Sequence, residues 1–150
     1  RTPILDSSAT GLFIGIRNNT EKKDIIRAVI EGVGYSIKDC FNLIPGKKNK
    51  VLISGGCAKS SLYREIYASM IDNEVVQIKQ DEGPALGAAI LAMVGNNEYK
   101  SLEAAVNKII KIDNTTKPNK AWVKYYNEKF NVYKELYKAN KNIYKMMEEK

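Results

Sequence analysis

The sequence predicts an α/β domain whose sheet is at least partly parallel, and two observations predict it. First, the apolar runs Gly11–Ile16, Val51–Ile53 and Glu74–Ile78 have strand character, and stretches with apolar residues at helical spacing separate them. Second, Val51-Leu52-Ile53 leads straight into Ser54-Gly55-Gly56-Cys57-Ala58-Lys59-Ser60-Ser61, so a buried strand is followed by a glycine turn and a helix start. Exposed helix N–H groups and the positive end of a helix dipole favour anions at such a turn, and glycines let a flat ligand lie against backbone. A tight strand-to-helix connection with no ligand has the same pattern, so the turn alone marks a candidate.

Taken in order, Pro3 and Asp6-Ser7-Ser8 give turn chemistry before Gly11–Ile16, which reads as a strand buried on both faces. Asn18-Asn19-Thr20 then turns, with Thr20 or Asp24 as candidate helix starts. Between about 21 and 44, Ile26, Val29 or Ile30, Val33, Ile37, Cys40 or Phe41 and Ile44 recur at helical spacing and predict a long amphipathic helix ended by Pro45-Gly46. Gly32 and Gly34 each cost about 1 kcal/mol there against alanine, which suggests close packing of another backbone. Asp24, Glu31 and Asp39 read as solvated or salt-bridged carboxylates. Lys47–Lys50 reads as an exposed loop.

After the glycine turn, Leu62, Ile66 and Met70 define one face of a helix over 61–70. Lys59-Ser60 is no Walker A end, because Ile53 and Ala58 stand where that motif needs glycine. Asp81 and Glu82 suit a helix start, with Pro84 in its first turn. Ala85–Gly95 is rich in small residues and suits a short-range helix crossing. Asn96-Asn97 turns, Ser101-Leu102-Glu103 caps a helix over 102–110, and Lys117-Pro118-Asn119 breaks the chain. A long helix over about 119–148 then carries Trp122, Tyr125 or Tyr126, Phe130, Tyr133, Tyr137 and Tyr144 as an aromatic stripe, which reads as packing rather than base stacking.

Composition narrows the chemistry. With 44% hydrophobic and 27% charged residues over 150, the chain suits one soluble domain with its own core. The net charge of +7 arises from 24 basic and 17 acidic residues, but the lysines are scattered, so no nucleic-acid partner is expected. The absence of histidine excludes Ser-His and Cys-His nucleophiles and the usual zinc sites within the chain, and no metal site is expected. Cys40 and Cys57 form no disulfide framework, which suits a reducing, cytoplasmic setting. No apolar run approaches the roughly 20 residues of a membrane span. The opening Arg1-Thr2-Pro3 suggests a fragment or processed form.

Gly11-Leu12-Phe13-Ile14-Gly15-Ile16, seven residues, Asp24-Ile25, two residues and Ala28-Val29-Ile30-Glu31 form a spaced set that resembles the second signature of the FGGY family of sugar kinases. The Ser54–Ser60 turn resembles that family's adenosine motif, and Asp81–Ala89 its second connecting helix. The tail with Tyr126, Phe130, Tyr133, Leu136 and Tyr137 is similar to xylulokinase C-terminal helices. The resemblance covers nearly all of the chain.

It implies a three-layer, ribonuclease H-like half-domain of the actin-like ATPase type, spanning residues 1–150 and lacking its first strands and the N-terminal sugar-binding half. Gly55 and Gly56 would approach the nucleotide, Lys59 and Ser60 would flank the base, and Gly83 and Gly87 would permit close packing of a hinge helix. ATP and Mg²⁺ are the implied cofactors, the metal bound mainly through the missing half, which would also supply the general base. No catalytic residue is assigned within this chain. The implied reaction phosphorylates a ketose, foremost D-xylulose to D-xylulose 5-phosphate, with gluconate or another polyol as the alternative. The implied partners are the N-terminal half and the sugar, with no membrane, and a homodimer is left open. A non-catalytic module binding nucleotide or protein is the reading from another class.

Overall fold

The computed structural model describes residues 3–46, 48, 50–79 and 83–148. They fall into two compact units, one made by the residues up to Gly46 together with those from Lys120 onward, the other by the residues between them.

The first unit is built on two helices, α1 (Lys22–Asn42) and α6 (Lys120–Glu148). Glu21 is the N-cap of α1, and its backbone N–H donates to the Asp24 side chain at 2.9 Å, so Asp24 serves the helix start. In α6 the buried or half-buried positions are 122, 123, 126, 130, 133, 136, 137, 140 and 144, and among them 123, 126, 130, 133, 137, 140 and 144 alternate in threes and fours and keep one seam turned inward. The aromatic stripe is therefore packing. The Tyr35 ring of α1 lies 6.0 Å from that of Tyr126, 6.2 Å from Phe130 and 5.2 Å from Tyr133. Each such pair adds about 0.5–1.5 kcal/mol beyond the area it buries.

Polar groups fix the register of the two helices. Arg27 pairs with Glu31 at 2.8 Å, and the Tyr126 hydroxyl donates to Glu31 at 2.8 Å while accepting from Arg27 at 3.1 Å. Buried Lys38 donates to Asn127 Oδ1 at 2.8 Å. The salt-bridged reading of Glu31 holds.

Two expectations are corrected in this unit. Residues 11–16 form no strand and are exposed, because apolar composition makes a strand only where a neighbour completes the ladder, and no described strand pairs with them. The inward face of α1 is Ile30, Gly34, Tyr35 and Lys38, whereas Ile26, Val29, Val33, Ile37 and, beyond its end, Ile44 are exposed. Periodicity located the helix but not its buried side, which the aromatic seam of α6 decides. Gly34 is buried as close packing requires, while a Cβ at Gly32 would meet nothing within 4 Å.

The second unit holds the sheet, in the order β1 (Val51–Ile53), β2 (Val75–Ile78), β3 (Ile112–Thr116). β1 and β2 are parallel, with Leu52 opposite Val76, and β3 runs antiparallel to β2, with Val75 opposite Thr116. The partly parallel sheet expected from the sequence is thus present. Between β1 and β2 come the single turn α2 (Gly56–Lys59) and α3 (Ser61–Ile71), and between β2 and β3 come α4 (Gly83–Gly95) and α5 (Leu102–Ile109).

From Arg64 to Ile71, α3 is buried almost all round, and Ile66, Ala68, Ser69 and Met70 have no accessible surface. Leu62, expected on that inward face, is exposed, because it precedes the stretch that reaches the sheet. Ser101 caps α5 through its hydroxyl, which accepts from the Ala104 N–H at 3.1 Å. Asn97, at φ 62°, makes the turn after α4, as its residue type suggested. α4 packs against α5, and of its small-residue stretch only Ile90 is buried. Asp81 and Glu82, expected to open α4, lie outside the described residues, as does part of the Lys47–Lys50 loop.

Candidate functional site

Because β1 and β2 are parallel, the chain leaves both at the same end of the sheet, where ligands of open α/β folds gather. At that end β1 passes through Ser54 into Gly55, whose φ of 82° and ψ of −168° belong to a region that side chains scarcely enter. Gly55 is the N-cap of α2, and its carbonyl accepts from the Ala58 N–H at 3.0 Å. Gly56 begins α2. Both glycines are exposed, and a Cβ built on either meets nothing within 4 Å. Protein packing therefore demands no glycine at 56, and only the backbone conformation demands one at 55.

Helix α4 closes the other side of this place. A Cβ on Gly83 would stand 3.6 Å from the Ser54 hydroxyl oxygen, so the first turn of α4 touches the residue before Gly55. The positive end of the dipole of this 13-residue helix is thereby brought beside the glycine turn. Gly87, one turn further on, faces open space.

Lys59 ends α2 and is exposed. Ser60 is the N-cap of α3: its hydroxyl accepts from the Tyr63 N–H at 3.5 Å and its carbonyl from the Arg64 N–H at 3.1 Å. The structure thus gathers Gly55, Gly56, Lys59, Ser60 and Gly83 along one turn and a helix start, and gives Ser60 a capping duty as well.

Beneath the turn lie groups to which the sequence reading gave no part. Arg64 is 7% exposed, and its guanidinium donates to the Ala58 carbonyl, to Gln77 Oε1 at 3.3 Å and, through Nε, to Thr116 Oγ1 at 3.3 Å. A charged side chain on a short helix reads as solvated, so nothing in the sequence marked it. Buried Tyr67 stands behind exposed Cys57; burial first, and then the neighbouring Cys57, push its phenol up to about 12. Neither Cys40 nor Cys57 is in a disulfide.

The arrangement can hold a flat or anionic ligand against backbone. Among the described residues the turn has no Asp, Glu or His beside it, and no group of three or more His, Cys, Asp or Glu side chains could hold a metal ion. Among them, too, no helix is long and apolar enough to cross a membrane. Two clefts of about 460 and 560 Å³ belong to the first unit and take none of their lining from the glycine turn.

Comparison with known proteins bears on this geometry. Residues 1–95 match the C-terminal domain of the FGGY family of carbohydrate kinases. A xylulose kinase of Staphylococcus epidermidis is 36% identical over 146 residues, which are 95% of this chain and 29% of that protein. The crystal structure of ligand-bound xylulose kinase from Lactobacillus acidophilus superposes with a TM-score of 0.89 at 28% identity, over 98% of this chain and 30% of that one. A gluconate kinase from the same organism superposes with a TM-score of 0.86 at 27% identity, over 95% of this chain and 29% of that one.

Proposed function

The chain belongs to the FGGY family of carbohydrate kinases, whose ribonuclease H-like α/β fold it shares, and we propose that it is the nucleotide-binding C-terminal part of an ATP-dependent sugar kinase. It spans 29% of the length of the Staphylococcus relative, so the activity is proposed for a longer protein that contains it. One observation carries the reading: the turn that resembles the family's adenosine motif is where Gly55 takes a conformation reserved to glycine and where a Cβ on either glycine would point into open space.

In this reading Gly55 and Gly56 lie along the adenosine, Lys59 and Ser60 border the base, and Gly83 and Gly87 serve the helix that flanks the cleft. The fit to a nucleotide rests on the open glycine backbone, which a planar group can approach as no side chain would allow. ATP supplies the phosphoryl group. Mg²⁺ and the base that takes the proton of the sugar hydroxyl are assigned, as the family resemblance implies, to the part of the protein outside this chain. Closure of the two parts around the substrates would exclude water and so limit hydrolysis of ATP. Two cysteines outside any disulfide suit a cytoplasmic enzyme.

The acceptor proposed is a ketose, foremost D-xylulose, because the relative at 36% identity is a xylulose kinase. Gluconate is the second reading, favoured by the structural similarity to a gluconate kinase. An ATP-consumption assay on the full-length protein with xylulose, gluconate, ribulose and glycerol tests both. Turnover with xylulose foremost is expected; turnover with none of the four would overturn the kinase reading and leave a non-catalytic binding module.

A further inference from the structure

We propose that Arg64 is a positioning residue that holds the Gly55–Gly56 turn in the form a nucleotide binds; the proposal rests on the nucleotide reading above. Its side chain leaves α3 and meets three different elements: the Ala58 carbonyl of α2, Gln77 of β2 and Thr116 of β3. All three acceptors are neutral, and none of the ion pairs found among the described residues includes Arg64. Burying a guanidinium without a counter-charge costs several kcal/mol, so its hydrogen bonds are the compensation on offer.

What those bonds hold is unstable by itself. α2 is one turn of four residues, far below the length at which a helix persists alone. At its two ends the backbone bonds are Ala58 N–H to Gly55 at 3.0 Å and Ser60 N–H to Cys57 at 3.4 Å, the second a long one. The Ala58 carbonyl belongs to the last turn, where helices leave carbonyls without a helical partner. Arg64 satisfies that carbonyl and ties it to the sheet, so the turn takes its place from β2 and β3 rather than from its own hydrogen bonds. An arginine suits this task because its planar fork reaches several acceptors at fixed angles, whereas a lysine presents a single point.

The test uses the full-length protein carrying Arg64→Met and Arg64→Lys, read by hydrogen exchange over residues 57–60, by calorimetric titration with ADP and by the KM for the sugar. Arg64→Met is expected to speed exchange at the Ala58 and Ser60 amides about tenfold. It should also raise the ADP Kd about tenfold while the sugar KM stays within about twofold. Arg64→Lys should fall between it and the wild type in both exchange and Kd. Unchanged exchange overturns the proposal, as does faster exchange with unchanged ADP affinity, which would leave Arg64 a plain structural tie. Parallel weakening of ADP and sugar overturns it too, because that reports a general loosening. Should Arg64→Met fail to fold, Gln77→Leu and Thr116→Val each remove one acceptor and should raise the ADP Kd about threefold; no change in either sinks the idea. A wild-type protein that binds ADP but phosphorylates no sugar defeats only the kinase reading, since exchange and Kd still decide the role of Arg64. A wild type that binds no ADP defeats both.

Discussion

Two neighbouring glycines separate what the backbone needs from what a ligand needs. Gly55→Ala forces a side chain into a region that costs about 1–3 kcal/mol, so denaturant unfolding should show that loss with no nucleotide present. Gly56 is under no such strain, and Gly56→Ala should change stability by no more than about 0.5 kcal/mol. Gly56→Trp should fold as well as the wild type yet abolish nucleotide binding in calorimetry. ADP binding retained by that variant would remove Gly56 from the site. At Asp6 a residue reports through pH. Its carboxylate accepts from the Ser8 hydroxyl at 2.5 Å, the Tyr137 hydroxyl at 2.7 Å and the Ser8 N–H at 3.0 Å. These bonds, the Ser8 hydroxyl first and Tyr137 next, hold its pKa below the usual 3.8. The folded value lies below the unfolded one, so the stabilisation is complete above about pH 4 and is lost as pH falls through the folded value. Asp6→Asn should flatten the decline of Tm on the acid side, and an unchanged acid profile would remove Asp6 as its source.

At the scale of elements, α1 and α6 are joined by a seam with a polar lock at Arg27, Glu31 and Tyr126. Tyr126→Phe removes a donor to Glu31 and an acceptor from Arg27 while leaving the ring in place, and should cost about 1–2 kcal/mol in unfolding measurements. The same hydroxyl contributes to the alkaline limb. Burial, foremost, pushes Tyr126 up to about 12, and Tyr67 in the other unit likewise. A raised folded value means that this stabilisation is complete below the usual 10 and lost as pH climbs toward 12. Tyr126→Phe should make the alkaline loss of stability shallower. Most of this architecture was legible: helical spacing gave α1, α3 and α6, and the cap at Ser101 gave α5, each to within about two residues. β3 was not, because Ile112-Asp113-Asn114-Thr115-Thr116 is a mostly exposed edge strand made by backbone pairing to β2 rather than by an apolar pattern. Residues 11–16 failed in the opposite way, with the composition of a strand and no described strand to pair with. Of the candidate site, the glycine turn could be read because glycine marks backbone geometry in the sequence itself. Arg64 could not, since its acceptors lie 6, 13 and 52 residues away along the chain.

At the scale of the whole molecule, the kinase reading raises the question of which part of phosphoryl transfer this chain would perform. The proposed reaction would require a base for the acceptor hydroxyl, a metal ion to offset the phosphate charge and a cradle for the phosphates. The sequence contains no histidine, and the described residues include no acidic or thiol cluster able to hold a metal ion. What stands beside the glycine turn is Ser54, Lys59, the helix-capping Ser60 and the start of α4, a set suited to positioning and charge rather than to proton transfer. The 150-residue chain alone should therefore consume no ATP with xylulose or gluconate and should bind ADP only weakly, since in the proposed reading the rest of a longer kinase completes the nucleotide cleft. The full-length protein should turn over the sugar and bind ADP tightly. A coupled assay and a calorimetric titration on the two proteins side by side check this expectation. Sugar-dependent turnover by the chain alone would place the base within it and require a catalytic residue where none is assigned, and tight ADP binding by the chain alone would show the glycine turn sufficient for nucleotide affinity without its opposite wall.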